Sequence, residues 1–395
     1  MQTDLRHYID LPKADSGLFD HLHRKEDLML QTMANEQRIK NLREGNYKLA
    51  VLGVPEDRNS QNKGAAEAPD KIREKFYSLY SPDPDFPMID LGNLKQGKSV
   101  KDTYTAVREV FIFLRNSGII PVIIGGTQDL LMPIFDSYNT AKQPFNISNI
   151  DARFDLGDIE SGFDNSSILS RIIHDKSPYL FNYTQIGYQG YYASPKDLAL
   201  MDDLWFENIR LGEAQFDMTE NEPYLRDSDF VCMDIRAVRQ SDAPGVFPAS
   251  VHGFYGEQAC QLAKYAGLSD RLTGFALFET NPKYDRAGQT AELAAQIVWH
   301  FIQGVWLRKK DFPARPIEEY RKFIVPTPES DSNLIFYKNP KTGRWWMEIP
   351  YFEKKKEQKI IVACSISDYH TATEGDVPDR WWRYYQKLSS ASKNS

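Results

Sequence analysis

Apolar segments with the character of buried strands alternate with amphipathic segments along most of the chain. After an N-terminal segment that predicts one or two helices ending at Gly45, the stretch YKLAVLGVPED predicts a strand buried on both faces. Helical patterns then alternate with further apolar strands, at IIPVIIGG, FNISNID, YTQIGYQG, LWFENIRL, DFVCMDIR and LTGFALFET. This alternation predicts an α/β fold with a mostly parallel central sheet and helices on both faces.

The pattern changes after about residue 310. LIFYKNPKTGRWWMEIPYF predicts a hairpin around NPKTG, and a Lys/Glu run, one apolar strand and a tail rich in Trp and Tyr follow. We therefore divide the chain into a helical lead-in over residues 1–46, an α/β domain over 47–310 and an extension over 311–395. The extension is too small for an independent core, so we expect its aromatic residues to pack on the main domain or on another subunit.

Composition and charge limit the classes of partner that the protein could bind. The 395 residues have a formal net charge of -7, which gives no general attraction to nucleic acid or to an anionic membrane, and we expect neither as a partner. The chain shows no signal peptide and no apolar run near the ~20 residues of a membrane span, so we expect a cytoplasmic protein. Cys232, Cys260 and Cys364 are widely separated, which favours buried thiols over disulfides or a thiolate zinc site.

Four of the predicted strands end in polar or charged residues. These residues are Gln128 and Asp129, then Asp151, Arg153 and Asp155, then Asp234 and Arg236, and finally Glu279 and Asn281. The carboxyl ends of parallel strands share one edge of a sheet, where ligands bind. Several acidic groups at one edge favour a metal or cation site, and paired salt bridges are an equally supported alternative.

The order of these short motifs resembles that of the ureohydrolase family, which includes arginase, agmatinase and formimidoylglutamase. Its members carry Gly-Gly-x-His, then Asp-Ala-His-x-Asp, then Asp-x-Asp before a Pro-Gly loop, and then Glu-x-Asn-Pro. This chain has GGTQD, DARFD, MDIR before DAPGVFPAS, and ETNPKYDRAGQTAELAAQI, in that order. GVPEDRNSQNKGAAEAPDKIRE also resembles the opening strand and glycine loop of the family. The resemblance covers about residues 47 to 305, and it implies a three-layer arginase-like fold and a homo-oligomer.

The resemblance also implies a metal centre. In the family, two histidines and four aspartates hold a pair of Mn²⁺ ions, whose bridging hydroxide attacks a guanidinium or formimino carbon. Carried over residue by residue, the histidine positions hold Gln128 and Arg153, and the last aspartate position holds Arg236. The ligand positions that keep their family residue are Asp151, Asp155 and Asp234.

These substitutions change the charge of the site. Arginine has no lone pair to offer and stays protonated, so Arg153 and Arg236 cannot bind a metal ion. Three aspartates then face two guanidinium groups, and we expect both arginines to replace the metals as counter-charges. One metal position is lost on this interpretation. The three unchanged aspartates, with the carbonyl oxygen of Gln128, could form at most a single site for a hard cation.

Three residues are candidates for substrate contacts. Glu279 matches the family carboxylate that holds the cationic end of the substrate, and a salt bridge to an arginine is the structural alternative. Asn165 and Ser167 lie where the family has a substrate-binding loop, and capping of the following helix would explain the serine equally well. No residue is assigned as catalytic.

The sequence leaves three functions open. The first is a non-catalytic binding or scaffold protein that has lost its dinuclear manganese centre and needs no cofactor. The second is an active hydrolase of linear amidines, of the formimidoylglutamase, agmatinase or arginase type, with one metal or an atypical arrangement; retained family activity would require Mn²⁺. The third is a metal-free sensor of a guanidino or amino-acid ligand held by Glu279. In each case the expected small ligand carries a guanidino or formimino group.

Overall fold

The main sheet of the protein is nine-stranded and nearly all parallel. The computed structural model describes residues 5–13, 19, 21–160, 162–311, 317–327, 333–353 and 356–393. The strands of the main sheet are β1 (Ile9–Asp10), β2 (Leu49–Gly53), β3 (Met88–Leu94), β4 (Ile120–Ile124), β5 (Phe145–Ile150), β6 (Leu180–Tyr188), β7 (Glu207–Arg210), β8 (Phe230–Asp234) and β9 (Gly274–Phe278). Their spatial order is β1-β3-β2-β4-β9-β8-β5-β6-β7, and only the pairing of β1 with β3 is antiparallel.

Helices cover both faces of this sheet. The α-helices of the described residues are α1 (Glu36–Lys40), α2 (Ala68–Phe76), α3 (Val100–Asn116), α4 (Leu131–Thr140), α5 (Ile168–His174), α6 (Pro195–Asp203), α7 (Leu211–Phe216), α8 (Glu222–Arg226), α9 (Gly256–Leu268), α10 (Gln289–Trp306), α11 (Ile366–Thr373) and α12 (Asp379–Lys393). One hydrophobic core contains residues of α2, α9 and α10, and the other contains residues of α3, α4 and α5. The three-layer α/β fold predicted from the sequence is confirmed.

The central strands are apolar because helices cover both of their sides. Every residue of β2, β5, β8 and β9 is buried, which explains why these segments show continuous apolar runs instead of an alternating pattern.

The helices between the strands have strong local start signals. In α3, the Ser99 side chain accepts a hydrogen bond from the Asp102 backbone N–H at 3.2 Å, and the Asp102 carboxylate accepts one from the Ser99 N–H at 2.8 Å.

The N-terminal lead-in is much less helical than predicted. Its helical content is the five-residue α1 and short 3-10 turns, while residues 1–4, 14–18 and 20 lie outside the described residues. The backbone N–H of Met29 donates to the Leu79 carbonyl, and that of Ala34 to the Asp90 carbonyl, both at 2.8 Å. These hydrogen bonds tie the segment to the main domain in a non-helical conformation, because tertiary contacts outweigh a modest helix propensity.

The C-terminal extension forms a second, antiparallel sheet. Its strands are β10 (Arg321–Pro326), β11 (Asn333–Lys338), β12 (Trp345–Glu353) and β13 (Lys356–Cys364), in that spatial order. The hairpin at NPKTG joins β11 to β12, whereas β10, α11 and α12 were not predicted. The aromatic tail is helical because Trp381, Tyr384 and Leu388 recur at intervals of three and four residues and face one hydrophobic cluster.

Buried ion pairs join this extension to the exposed edge of the main sheet. Arg380 of α12 donates from Nη1 to Glu207 Oε1 at 2.6 Å and from Nη2 to Asp227 Oδ2 at 2.8 Å. Glu207 begins β7, the last strand of the sheet, so these ion pairs fix α12 at the amino end of that strand. None of the described helices combines the length and the apolar composition that a membrane span requires.

Replacing Arg380 with Met should destabilise the protein by roughly 3 to 5 kcal/mol, because two buried carboxylates would lose their cation. Arg383, one turn further along α12, pairs with the largely exposed Asp202 at 3.1 Å. Arg383→Met is the matched control and should cost less than about 1 kcal/mol. Urea unfolding of both variants measures the difference, and equal midpoints would contradict the assigned interface.

Candidate functional site

The strand order brings the predicted polar strand ends to one edge of the sheet. Strands β4, β9, β8 and β5 are neighbours, and in a parallel sheet their carboxyl ends lie side by side. Gln128, Glu279, Asp234 and Asp151 follow or end these four strands in that order. The glycine pair before Gln128 is needed for the turn, because a Cβ atom on Gly126, at φ 76°, would lie 2.7 Å from the Val54 carbonyl oxygen.

Solvent hardly reaches this group of side chains. The exposed fractions are 0% for Asp234 and Glu279, 1% for Gln128 and Asp151, and 7% for Asp155 and Arg236. We call these six residues the carboxylate cluster. A charge in such surroundings is expensive unless it is paired and hydrogen-bonded, so the partners of each group decide the chemistry of the cluster.

Arg236 lies at the centre of the carboxylate cluster. Its Nε donates to Asp234 Oδ2 at 2.7 Å, its Nη2 makes a second, closer contact with the same oxygen, and its backbone N–H donates to Asp234 Oδ1 at 2.6 Å. Nη2 also donates to Gln128 Oε1 at 3.3 Å and lies 4.0 Å from Glu279 Oε1. Burial disfavours the charged guanidinium, but Asp234 and Glu279 together raise the pKa of Arg236 well above its usual range.

Glu279 is held by neutral donors. Its Oε1 accepts hydrogen bonds from the Gln128 backbone N–H at 2.8 Å and from Asn165 Nδ2 at 2.9 Å, and its Oε2 accepts one from Asn62 Nδ2 at 2.8 Å. The residue has a left-handed backbone, with φ 71°, a conformation that is costly for a glutamate and concentrates at functional sites. Asn62 is not among the residues predicted from the sequence, although it is a polar residue in the glycine loop after β2, where the chain resembles the family.

Asp151 and Asp155 lack a full set of partners. Asp151 Oδ1 accepts from the Arg153 backbone N–H at 3.0 Å, whereas Oδ2 of each aspartate is buried without a hydrogen bond in the described part of the chain. Burial raises the pKa of Asp155 well above its usual range, and the neighbouring Asp151 carboxylate raises it further. The hydrogen bonds of the cluster therefore do not compensate four ionised carboxylates, and the neutral form of Asp155 is favoured.

The prediction that Arg153 acts as a counter-charge is wrong. Its guanidinium carbon lies 3.7 Å above the Tyr192 ring, and its guanidinium forms no ion pair among the described residues. The backbone explains this orientation, because the Arg153 N–H is held by Asp151 and its carbonyl oxygen accepts from Gln185 Nε2 at 2.8 Å. Four carboxylates, instead of being balanced by two arginines, face Arg236 alone.

The two candidates from the substrate-loop position behave differently. Asn165 reaches the carboxylate cluster through its bond to Glu279. Ser167 does not, because its Oγ accepts from the Asp164 N–H at 3.0 Å and donates to the Asp164 carbonyl at 3.1 Å. Its hydroxyl is used in the local turn before α5. Ser167 stands at the N-cap position of α5 but makes no side-chain cap hydrogen bond, so the capping alternative is wrong as well.

The donor atoms, as arranged, do not fit a dinuclear manganese centre. Arg236 engages both oxygens of Asp234 and the side-chain oxygen of Gln128, so two buried oxygens, one each from Asp151 and Asp155, remain without a donor. Among the described residues, no group of three or more His, Cys, Asp or Glu side chains is placed to hold a metal ion. Of the three aspartates predicted as a possible single site, Asp234 is paired with Arg236 in this arrangement.

The chain is similar in sequence to proteins of one known family. A family model described as "Arginase family" matches residues 47–303. A formimidoylglutamase from Staphylococcus haemolyticus is 25% identical over 276 residues, which cover 64% of this chain and 85% of the relative. The human mitochondrial guanidino acid hydrolase is 24% identical over 287 residues, which cover 64% of this chain and 77% of that protein.

Solved structures show the same fold. A crystal structure of Trypanosoma cruzi formiminoglutamase with Mn²⁺ superposes with a TM-score of 0.63 at 18% identity, over 67% of this chain and 96% of the other. Formimidoylglutamase from Bacillus subtilis superposes with a TM-score of 0.60 at 19% identity, over 66% of this chain and 88% of the other. The family model spans β2 to β9 and ends before the C-terminal sheet begins.

Arg236→Met should destabilise the protein by roughly 3 to 5 kcal/mol, since it would leave the buried carboxylates without a cation. Arg153→Met is the matched control, and losing its contact with Tyr192 should cost about 0.5 to 1 kcal/mol. Chemical unfolding at neutral pH distinguishes the two. If Arg153→Met were the more damaging variant, the assignment of Arg236 as the internal cation would be wrong.

Asp155→Asn should stabilise the protein at pH 8 and leave it unchanged near pH 4. A carboxyl whose pKa is raised in the folded state favours folding while protonated, and this contribution is lost as the pH rises through that pKa. Removing the buried charge should recover about 1 to 3 kcal/mol at pH 8. Thermal unfolding at both pH values, with and without EDTA, measures the effect. Destabilisation at pH 8 would instead indicate that Asp155 holds a cation.

Proposed function

Because the chain belongs to the arginase family, we propose that it is a non-catalytic member whose carboxylate cluster is neutralised from within by Arg236 instead of by metal ions. We infer that it acts as a binding or scaffold protein. The observation that carries the proposal is the position of the Arg236 guanidinium, which bonds Asp234 and Gln128 and lies 4.0 Å from Glu279.

The first consequence of this position concerns the nucleophile. Amidine hydrolysis needs an activated water, and a metal ion supplies it by lowering the pKa of bound water to about 7. A guanidinium cannot act as a Lewis acid or accept a proton at biological pH, so Arg236 supplies charge without generating a nucleophile. The two oxygens left free on Asp151 and Asp155 could accept a proton, but a carboxylate does not lower the pKa of a water molecule as a metal ion does.

The second consequence concerns the ligand. In the resemblance drawn from the sequence, Glu279 holds the cationic end of the substrate. Here its carboxylate already accepts three hydrogen bonds and has the guanidinium of Arg236 beside it. A guanidino ligand would have to displace that side chain and break its ion pair with Asp234. This geometry disfavours a guanidino sensor that uses Glu279 directly.

One observation supports the alternative of an active hydrolase with an atypical metal. The buried Oδ2 atoms of Asp151 and Asp155 are acceptors without donors, and such a pair is a recognised component of a cation site. For a metal to bind here, Arg236 would have to rotate away from Asp234. The two proposals therefore differ in the position of a single side chain, and direct metal analysis separates them.

Protein purified with added Mn²⁺ should contain far less than one metal ion per chain and should release neither urea nor formamide. Elemental analysis gives the first quantity. The second is measured with arginine, agmatine and formiminoglutamate as substrates, with a bacterial formimidoylglutamase as the positive control. Stoichiometric manganese together with turnover would overturn the non-catalytic proposal and support the alternative.

The triple variant Gln128→His, Arg153→His and Arg236→Asp extends this test. It restores the family ligand types, and it should bind Mn²⁺ and gain thermal stability from it, because a ligand that binds the folded state alone raises the unfolding temperature. Each single variant should fail to bind the metal, since the positions act together. A parent protein stabilised by Mn²⁺ as strongly as the triple variant would contradict the proposed role of Arg236.

A further inference from the structure

A cavity lies beyond the amino ends of several strands of the main sheet, on the side opposite the carboxylate cluster. It has a volume of about 690 Å³, and its wall includes Lys48, Ile120 and Leu272, at the amino ends of β2, β4 and β9. The carboxylate cluster lies beyond the carboxyl ends of β4 and β9. Since β4 has five residues and a strand rises ~3.3 Å per residue, roughly 16 Å of strand separates the cavity from the cluster.

Cations dominate the lining of this cavity. Lys48, Arg115, Arg308 and Lys310 contribute to its wall, and Asp270 is the acidic residue among the lining side chains. None of these four cations forms an ion pair with a carboxylate of the described residues. Asp229, close by, is already paired with Arg271 at 2.9 Å. The cavity therefore has a surplus of positive charge.

Arg115 and Arg308 are each held by neighbouring groups that do not use all of their N–H donors. Arg308 donates to the carbonyls of Gly267 and Leu272 at 2.9 and 3.0 Å, and burial lowers the pKa of Arg308 to about 10. The guanidinium carbon of Arg115 lies 3.7 Å over the Tyr138 ring, and its Nε is buried without a hydrogen-bond partner in the described chain. A buried donor without an acceptor indicates a missing partner.

Helix ends compensate for part of this charge. The carboxyl ends of α3, α9 and α10 lie at this edge, because Asn116, Leu268 and Trp306 end these helices beside cavity residues. Each helix end contributes about half a negative charge. Four cations and one carboxylate leave +3, and three helix ends reduce this to about +1.5. The remaining positive charge favours an anionic ligand over a neutral one.

Apart from Thr273, the uncharged side chains of the wall are apolar. Phe86, Ile119 and Val305 line the cavity with Trp306, whose side chain is 42% exposed. A cavity of this volume with apolar walls and a few convergent polar groups suits a small organic ligand. We propose that this cavity binds an organic anion that combines a phosphate or carboxylate group, held by Lys48 and Arg115, with an apolar or aromatic part that packs on Trp306.

Titration calorimetry at low ionic strength tests the proposal, with inorganic phosphate, phenyl phosphate, benzoate and benzyl alcohol as probes. Low salt is required because, at 0.1 M salt, the attraction between exposed charges that lie more than about 10 Å apart is largely screened. Phenyl phosphate should bind more tightly than inorganic phosphate, and neutral benzyl alcohol should not bind. Benzoate distinguishes the two anionic groups, since binding comparable to phenyl phosphate assigns a carboxylate ligand and weaker binding assigns a phosphate. If none of the four probes binds, the proposal is wrong.

Variants locate the binding in the cavity. Lys48 is exposed, so Lys48→Glu should fold normally and weaken anion binding about tenfold or more, the factor expected for losing one charge-assisted hydrogen bond. Lys101→Glu is the matched control, because this exposed lysine starts α3 at the other edge of the sheet and should not affect binding. Trp306→Ala should weaken phenyl phosphate about threefold to tenfold and leave inorganic phosphate unchanged. Equal binding by the parent and Lys48→Glu would overturn the proposal.

Discussion

Arg236 brings a permanent positive charge into a group of four carboxylates that solvent hardly reaches. Its ion pair with Asp234 is the interaction on which the chemistry of this edge depends, because it uses the oxygens that a metal ion would need. The same guanidinium lies beside Glu279 and bonds Gln128, so the three strand ends of β4, β8 and β9 are held by one side chain. The family fold is retained, and the hydrogen bonds and ion pair of Arg236 join the strand ends at this site.

The charge balance of this site is incomplete. Arg153, at the other substituted position, points away and stacks on Tyr192, which leaves Asp151 and Asp155 with buried oxygens that lack donors. The raised pKa of Asp155 is the physical response, because burial and the Asp151 charge both favour its neutral form. A protein that keeps such a group has either a protonated carboxyl or a cation there, and the two differ in their dependence on pH and on chelators.

The two ends of β4 and β9 differ in electrostatics. Acidic groups gather beyond their carboxyl ends, whereas the cavity at their amino ends is lined by four cations and one carboxylate, beside the carboxyl ends of α3, α9 and α10. Helix dipoles favour this distribution, since cations are stabilised at helix carboxyl ends. At the cavity of Lys48 and Arg115 the cations exceed what three helix ends offset. An anion-binding role at this edge would therefore be independent of the fate of the metal site.

The sequence alone determined the fold class and the positions that gather at the carboxyl edge, because continuous apolar runs and parallel strand ends constrain those features locally. It also identified Arg236 as a residue that cannot bind a metal, since this follows from the chemistry of the guanidinium. Only the tertiary structure showed that Arg153 turns to Tyr192, that Asn62 holds Glu279, and that the aromatic tail is a helix bound to the first residue of β7. Side-chain direction and long-range pairing depend on neighbours that are distant in the chain, so local patterns could not decide them.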